Sequence, residues 1–287
     1  MKDQTHSDYQ ARIMRVLLYV QGHLDEPLVL EDMAGLACFS PYHFHRVFKG
    51  MVGESLGQYL RRLRLERAAR QLRHGPLPVT QIALQAGYET HESFTRAFRE
   101  RFGLAPSAFR RRGLTTSEAG GAPPWPHTQW KEMDMDASIK TLKPQTVAFV
   151  RHVGPYQDCG QAWQKLCAWA GPQGLLGPGA RLIGACYDDP EITPPQRIRY
   201  DACLAVPPGL RPTEPVGLQE LAGGDYAMVL HRGPYENLSQ TYAWLCGQWA
   251  PASGRQIRHL PSLEVYLNDP GSTPVKDLLV EVYLPLE

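Results

Sequence analysis

VTQIALQAGYETHESFTRAFRERFGLAPSAFRRR, running from Val79 to Arg112, decides how the first part of this chain folds. Ile82, Ala83 and Ala86 give a short apolar helical face, and Gly87 supplies the left-handed conformation that ends a helix. Thr90 stands where an N-cap belongs, ahead of HESFTRAFRERF. In that segment Phe94, Ala97, Phe98 and Phe102 form one helical stripe, which leaves His91, Glu92, Thr95, Arg96 and Arg99 pointing away from it. A short helix, a glycine-containing turn and a second helix with a polar, basic outer face make a helix-turn-helix. A plain helical hairpin with a solvated face would give the same pattern once.

The pattern occurs twice. In VLEDMAGLACFSPYHFHRVFKGMVGESLGQYLRRLR, Met33, Ala34 and Ala37 match Ile82, Ala83 and Ala86, and Ser40 matches Thr90. Phe44, Phe48, Gly53 and Tyr59 match Phe94, Phe98, Gly103 and Phe109. The offset is 49 residues before the turn and 50 after it, so the turns differ by one residue. Two such units joined by a basic helix, Leu60 to Arg73, resemble the AraC/XylS family of bacterial transcription regulators over residues 8 to 112. The resemblance implies double-stranded promoter DNA as a partner, RNA polymerase as a second, and a cytoplasmic location.

Charge supports this division. Residues 1–113 carry 17 Lys and Arg against 11 Asp and Glu, a formal +6, whereas residues 114–287 carry 13 against 18, a formal −5. A basic half suits a polyanion, and an acidic half suits something neutral or cationic. No apolar run is long enough to span a bilayer and no signal peptide opens the chain. The six cysteines form no C-x-x-C pair and read as reduced thiols. His43 and His45 would diverge by about 200° on a helix, so no metal is expected there, and no cofactor motif is visible.

Tyr9 to Leu24 reads as a helix with Asp8 as its N-cap, after a frayed start. The first recognition helix should begin at Pro41, a good first-turn residue, and run to about Gly50. With Phe44, Val47 and Phe48 inward, Tyr42, His45, Arg46 and Lys49 face outward, and the family resemblance makes these the groove-facing positions. Their counterparts in the second unit are His91, Glu92, Thr95 and Arg96. Arginine can pair with guanine in the major groove, and two such helices on one chain would enter adjacent grooves about 34 Å apart. Residues 113–137, rich in Gly, Pro, Ser and Thr, read as a linker, although Trp125 and Trp130 are unusual in one.

A second repeat fills the remainder. Val147 to Tyr156 matches Ala227 to Tyr235, each ending in Gly-Pro-Tyr, at an offset of 79. Each copy continues with an amphipathic helix, a strand ending in Asp-Pro and a closing strand, Tyr200 to Pro207 or Leu278 to Pro285. The expected fold is therefore multidomain: an all-α double helix-turn-helix domain over 1–112, and an α+β domain over 138–287. The latter comprises two pseudo-twofold-related strand-helix-strand-strand units enclosing a cleft. This half resembles the gyrase-inhibitor-like (GyrI-like) effector-binding domain of multidrug-sensing regulators.

In the last strand Leu278, Val280, Val282 and Leu284 form an apolar face, and Leu279, Glu281 and Tyr283 form the other. The resemblance places a glutamate in the drug pocket, and Glu281 is the expected one, with a surface glutamate as its plain alternative. Tyr156, Trp163, Tyr187, Tyr226, Tyr235, Trp244 and Tyr266 are the candidate walls for a lipophilic cation, although helix aromatics also serve as core. Two other readings compete. Free-standing relatives of this fold include hydrolases, for which Glu281 with Tyr283 or His152 could act on water, yet no nucleophile–base–orienter set is visible and no catalytic residue is assigned. The domain could also serve only a protein partner.

Overall fold

The computed structural model describes residues 2–112, 135–207 and 209–287. Nearly all of the expected linker, with Trp125 and Trp130, lies outside these residues. The chain divides into two compact units, Gln10–Trp130 and Lys131–Glu287, with Met1–Tyr9 grouped with the second. Among the described residues no helix is long and apolar enough to cross a membrane.

Among the described residues, seven helices precede the sheet: α1 (Lys2–Gly22), α2 (Leu30–Leu36), α3 (Pro41–Val52), α4 (Leu56–His74), α5 (Val79–Gln85), α6 (His91–Phe102) and α7 (Pro106–Arg112). Helix α1 starts well before the expected Tyr9, so Asp8 lies inside it rather than capping it; no glycine or proline interrupts the residues ahead of it. The pairs α2–α3 and α5–α6 are the two helix-turn-helix units. Their second helices start as the sequence dictates, with Ser40 Oγ accepting from the His43 amide at 3.3 Å and Thr90 Oγ1 from the Ser93 amide at 3.1 Å. Left-handed Gly53 and Gly103 end them.

The second unit closes around an aromatic ladder in which the Phe98 ring lies 4.6 Å from Phe102 and 5.3 Å from Phe109. Leu65, Ala68, Ala69 and Leu72 of α4 floor the same core. The arginines of α4 are largely engaged: Arg62 pairs with Glu54 at 2.6 Å, Arg67 with Asp25 at 2.7 Å, and Arg64 donates to the Leu24 carbonyl at 2.8 Å. Arg61 and Arg70 remain exposed.

The two turns differ in one informative way. Gly87 holds φ +80°, and a Cβ there would lie 2.7 Å from Arg64 Nη1. Its counterpart in the first unit is Cys38, at φ 56° with an exposed side chain. A non-glycine residue in this region costs on the order of 1 kcal/mol, partly offset by the entropy glycine adds to the unfolded chain. Cys38→Gly should therefore raise stability by about 0.5 kcal/mol, read as a higher urea midpoint at unchanged slope; a lower midpoint would contradict this.

The second part is one antiparallel sheet with helices α8 (Gly160–Ala170) and α9 (Leu238–Trp244). Its strands are β1 (Ala137–Leu142), β2 (Gln145–Val153), β3 (Leu182–Cys186), β4 (Arg199–Ala205), β5 (Gly217–Leu221), β6 (Gly224–Arg232), β7 (Ser262–Tyr266) and β8 (Leu279–Pro285). The order β1-β6-β8-β7-β3-β4-β2-β5 reads the same outward from the central β3–β7 pair, which places the pseudo-twofold axis there. Each strand-helix-strand-strand repeat is preceded by one further short strand, and these are exchanged: β1 of the first repeat pairs with β6, and β5 of the second pairs with β2.

The Gly-Pro-Tyr turns are clamped by histidine. His152 Nε2 donates to the Pro155 carbonyl at 2.9 Å, and His231 Nε2 to the Pro234 carbonyl at 3.1 Å. Gly154 and Gly233 hold φ +151° and +117° just before the proline, a region that favours glycine. The repeated histidines thus hold turns.

Candidate DNA-facing helix and effector site

On α6 the stripe of Phe94, Phe98 and Phe102 is buried, and His91, Glu92, Arg96 and Arg99 are exposed on the opposite side, with Thr95 half-buried between them. That is the polar, basic face the sequence predicts. Helix α3 departs from its expected outward face: His45 is 3% exposed and Arg46 7%, and Tyr42 and Lys49 are half-buried. The Arg46 guanidinium lies 4.2 Å from the centroid of the Tyr42 ring, a cation–π contact within one turn of the helix.

In the second part the sheet register decides which side chains meet. Facing residues of an antiparallel pair share a side of the sheet, and side chains alternate along each strand. Val265 is opposite Glu281 and Leu263 opposite Tyr283, whereas Glu264 is opposite Val282 and, across the central pair, Gly184. Glu281 and Tyr283 therefore lie on one face, and Glu264 lies on the other with the helices.

Glu264 is buried, and both its oxygens accept hydrogen bonds: Oε1 from the Tyr242 hydroxyl at 2.9 Å and Oε2 from the Tyr266 hydroxyl at 2.7 Å. The chain continues outward, with the Tyr266 and Tyr200 hydroxyls 3.0 Å apart and Trp163 Nε1 donating to Tyr200 at 3.1 Å. Trp163 and Tyr235 present edge-on contacts to Tyr266 at 5.6 and 5.7 Å, and Tyr156 packs edge-on against Tyr200 at 5.8 Å. Burial, then Glu264, then Tyr200 hold the Tyr266 hydroxyl well above the ordinary tyrosine range; burial, then Cys186 and Glu264, do the same for Tyr200. Both remain neutral donors at pH 7. No cation pairs with Glu264 among the described residues.

The other repeat makes room for this cluster. Gly184 is the repeat mate of Glu264, and a Cβ on it would lie 2.5 Å from the Tyr200 hydroxyl oxygen and 2.8 Å from its ring. The pseudo-twofold is thus broken at its axis, with a carboxylate on one side and a glycine on the other.

Of the walls expected from sequence, Tyr156, Trp163, Tyr235 and Tyr266 come together around Glu264. Glu281 and Tyr283 do not join them: the Tyr283 hydroxyl donates to Glu281 at 2.8 Å on the opposite face, and burial, then that bond, push it up to about 12. Tyr187 and Tyr226 also lie on that face, bonded to Asp201 at 2.9 Å and to the Ala222 carbonyl at 2.7 Å. Trp244 is half-buried at the end of α9, and no ring contact joins it to the cluster among the described residues. Glu264, Tyr200 and Tyr242 were not among the expected residues. The repeat carried a signal for the first: at the 80-residue offset of the Asp-Pro strands, Gly184 is matched by Glu264.

Together, the two parts define a protein class: a double helix-turn-helix unit carried on one chain with an α+β domain that encloses a carboxylate among aromatic rings. The chain belongs to the GyrI-like family, whose small molecule binding domain matches residues 135–287, and it shares with AraC-type regulators a helix-turn-helix domain matching residues 33–112. Its helical part is similar to the right origin-binding protein of Escherichia coli, 41% identical over 103 residues, which are 36% of each chain. It is also similar to the HTH-type transcriptional activator AarP of Providencia stuartii, 35% identical over 106 residues, 37% of this chain and 78% of that protein. Regulatory protein SoxS of Escherichia coli is 33% identical over 104 residues, 36% of this chain and 97% of that protein. The match spans only about a third of the right origin-binding protein.

Proposed function

We propose that this chain is a one-component transcription regulator that binds promoter DNA through its helix-turn-helix units and senses a lipophilic cation at Glu264. The observation that carries the effector reading is a buried carboxylate that, among the described residues, has neutral hydroxyl donors and no cation. Burying an unpaired charge is costly, and a ligand cation flanked by Trp163, Tyr235 and Tyr266 would supply both the missing charge and cation–π contact. The charge-reading role thereby passes from Glu281 to Glu264, and four of the expected aromatics keep theirs. The domain binds its ligand without turnover, with RNA polymerase as the partner through which occupancy is read. Titrating the intact chain with an aromatic quaternary ammonium ion and with its uncharged carbon isostere tests this; equal affinities would contradict it.

For DNA, the open face of α6 supports Arg96 as a base- or phosphate-reading residue, with His91, Glu92 and Thr95 beside it. Tyr42, His45, Arg46 and Lys49 of α3 are proposed as the counterpart surface. Loss of one good arginine contact costs about 1–3 kcal/mol, so Arg96→Ala should weaken operator binding roughly tenfold while leaving thermal unfolding unchanged. Binding should also fall steeply with salt, less steeply in the variant if Arg96 meets phosphate. Unchanged affinity measured by fluorescence anisotropy would contradict the assignment.

A further inference from the structure

The sheet has a second face, and the pseudo-twofold axis emerges there as well. On that side the central strands present Ile183, Leu263 and Val265, all buried, as the floor of a cavity of about 340 Å³. Two connections between strands that are not neighbours wall it: Leu142 to Gln145 between β1 and β2, and Leu221 with Ala222 on the way from β5 to β6. The connections touch each other, since a Cβ on Gly223 would lie 2.6 Å from the Pro144 ring. Strand exchange therefore closes this end of the axis with parts of both repeats.

The lining is mixed, with Leu142, Leu221 and the floor residues apolar and Thr141, Gln145, Lys143 and Arg181 polar. Arg181 and Lys143 are both exposed, and neither makes an ion pair among the described residues. The repeat mate of Arg181 is Pro261, so this face, too, is asymmetric about the axis, with the charge of opposite sign to Glu264. The nearby carboxylate, Glu281, does not line the cavity and is held by the Tyr283 hydroxyl at 2.8 Å.

We propose that this cavity is a second ligand site, for a small apolar molecule that carries an anionic group: the hydrocarbon rests on Ile183, Leu263 and Val265, and the anion is met by Arg181 with Lys143. A cavity of this size suits a single-ring ligand, and arginine is the side chain whose fork fits a carboxylate best. The site is chemically opposite to the one at Glu264 and does not depend on that reading, because the two lie on different faces of the sheet.

The test uses 4-phenylbutyrate as probe and its neutral amide as control, titrated calorimetrically into the intact wild-type, Arg181→Gln and Glu264→Gln chains. Arg181 is exposed, so its replacement leaves folding intact. Expected is saturable binding of the carboxylate to wild type, about tenfold weaker for the amide, about tenfold weaker in Arg181→Gln, and unchanged in Glu264→Gln. Absence of saturable binding to wild type, equal binding of acid and amide, or retention in Arg181→Gln would overturn the proposal. So would loss in Glu264→Gln, which would place the probe on the other face.

Discussion

Glu264→Gln should weaken binding of a lipophilic cation about a hundredfold or more while leaving a neutral isostere within about threefold. Two unit charges near 4 Å interact by about 4 kcal/mol at the effective dielectric of a partly buried pair, and removing one partner of a buried pair costs about 3–5 kcal/mol. Part of this is returned because glutamine keeps the volume and can still accept from the Tyr242 or Tyr266 hydroxyl, each within 2.9 Å of the glutamate. A net loss of about 3 kcal/mol is a factor of ~150. Isothermal titration of both ligands against both chains measures it. Equal losses for cation and isostere would mean that Glu264 serves packing and hydrogen bonding rather than charge.

The second large effect lies on the other face. Asp201 is fully buried, and Arg151 meets it with two bonds of 2.8 Å, backed by the Tyr187 hydroxyl and Gln219 Nε2, each at 2.9 Å. The hydrogen bond that Arg151 donates to Asp201 is the largest cause holding its guanidinium above the ordinary range, and burial pushes the Tyr187 hydroxyl up to about 12. Arg151→Met leaves the carboxylate buried with two neutral donors. Loss of one partner of a buried pair costs about 3–5 kcal/mol, but Arg151 is 43% exposed, so we expect a screened loss of about 2–3 kcal/mol.

Replacing both partners by apolar residues, Arg151→Met with Asp201→Leu, should recover most of the loss. Chemical denaturation at pH 7 reads the wild-type chain and both variants; a double variant no more stable than Arg151→Met would contradict the assignment.

The helical part was legible because its signals are local. Phenylalanines recur at helical spacing, Ser40 and Thr90 cap the helices that begin after them, and the same layout returns one unit later, so helices and turns could be placed within a few residues. The position of α1 was missed at its start because Asp8 is a good cap residue and nothing local says that the helix already extends past it. In the second part the repeated Gly-Pro-Tyr turns and Asp-Pro strands exposed the twofold. Strands β1 and β5 stayed hidden because both lie at sheet edges, where most of their side chains are exposed or half-buried and the alternation is weak.

The site was legible in kind and not in place. An aromatic cluster with one carboxylate is implied by the repeat and the resemblance, but which carboxylate faces the rings is a matter of register between β7 and β8. A shift of one residue exchanges the faces. Glu264 and Glu281 each sit in a strand of alternating polar and apolar residues, and only the pairing of Glu264 with Gly184, which admits Tyr200, separates them.

A sensor of positive charge must prefer a cation to its uncharged twin in the wild-type chain itself. The deciding measurement is the thermal shift of the intact protein with an aromatic quaternary ammonium ion and, in parallel, with its uncharged carbon isostere, each at one hundred times the dissociation constant expected for the cation. Ligand at that excess stabilises the folded state by about 2.7 kcal/mol, so we expect a rise of several degrees with the cation and little with the isostere. Equal shifts with the two compounds, or none with the cation, would contradict a sensor that reads positive charge at Glu264.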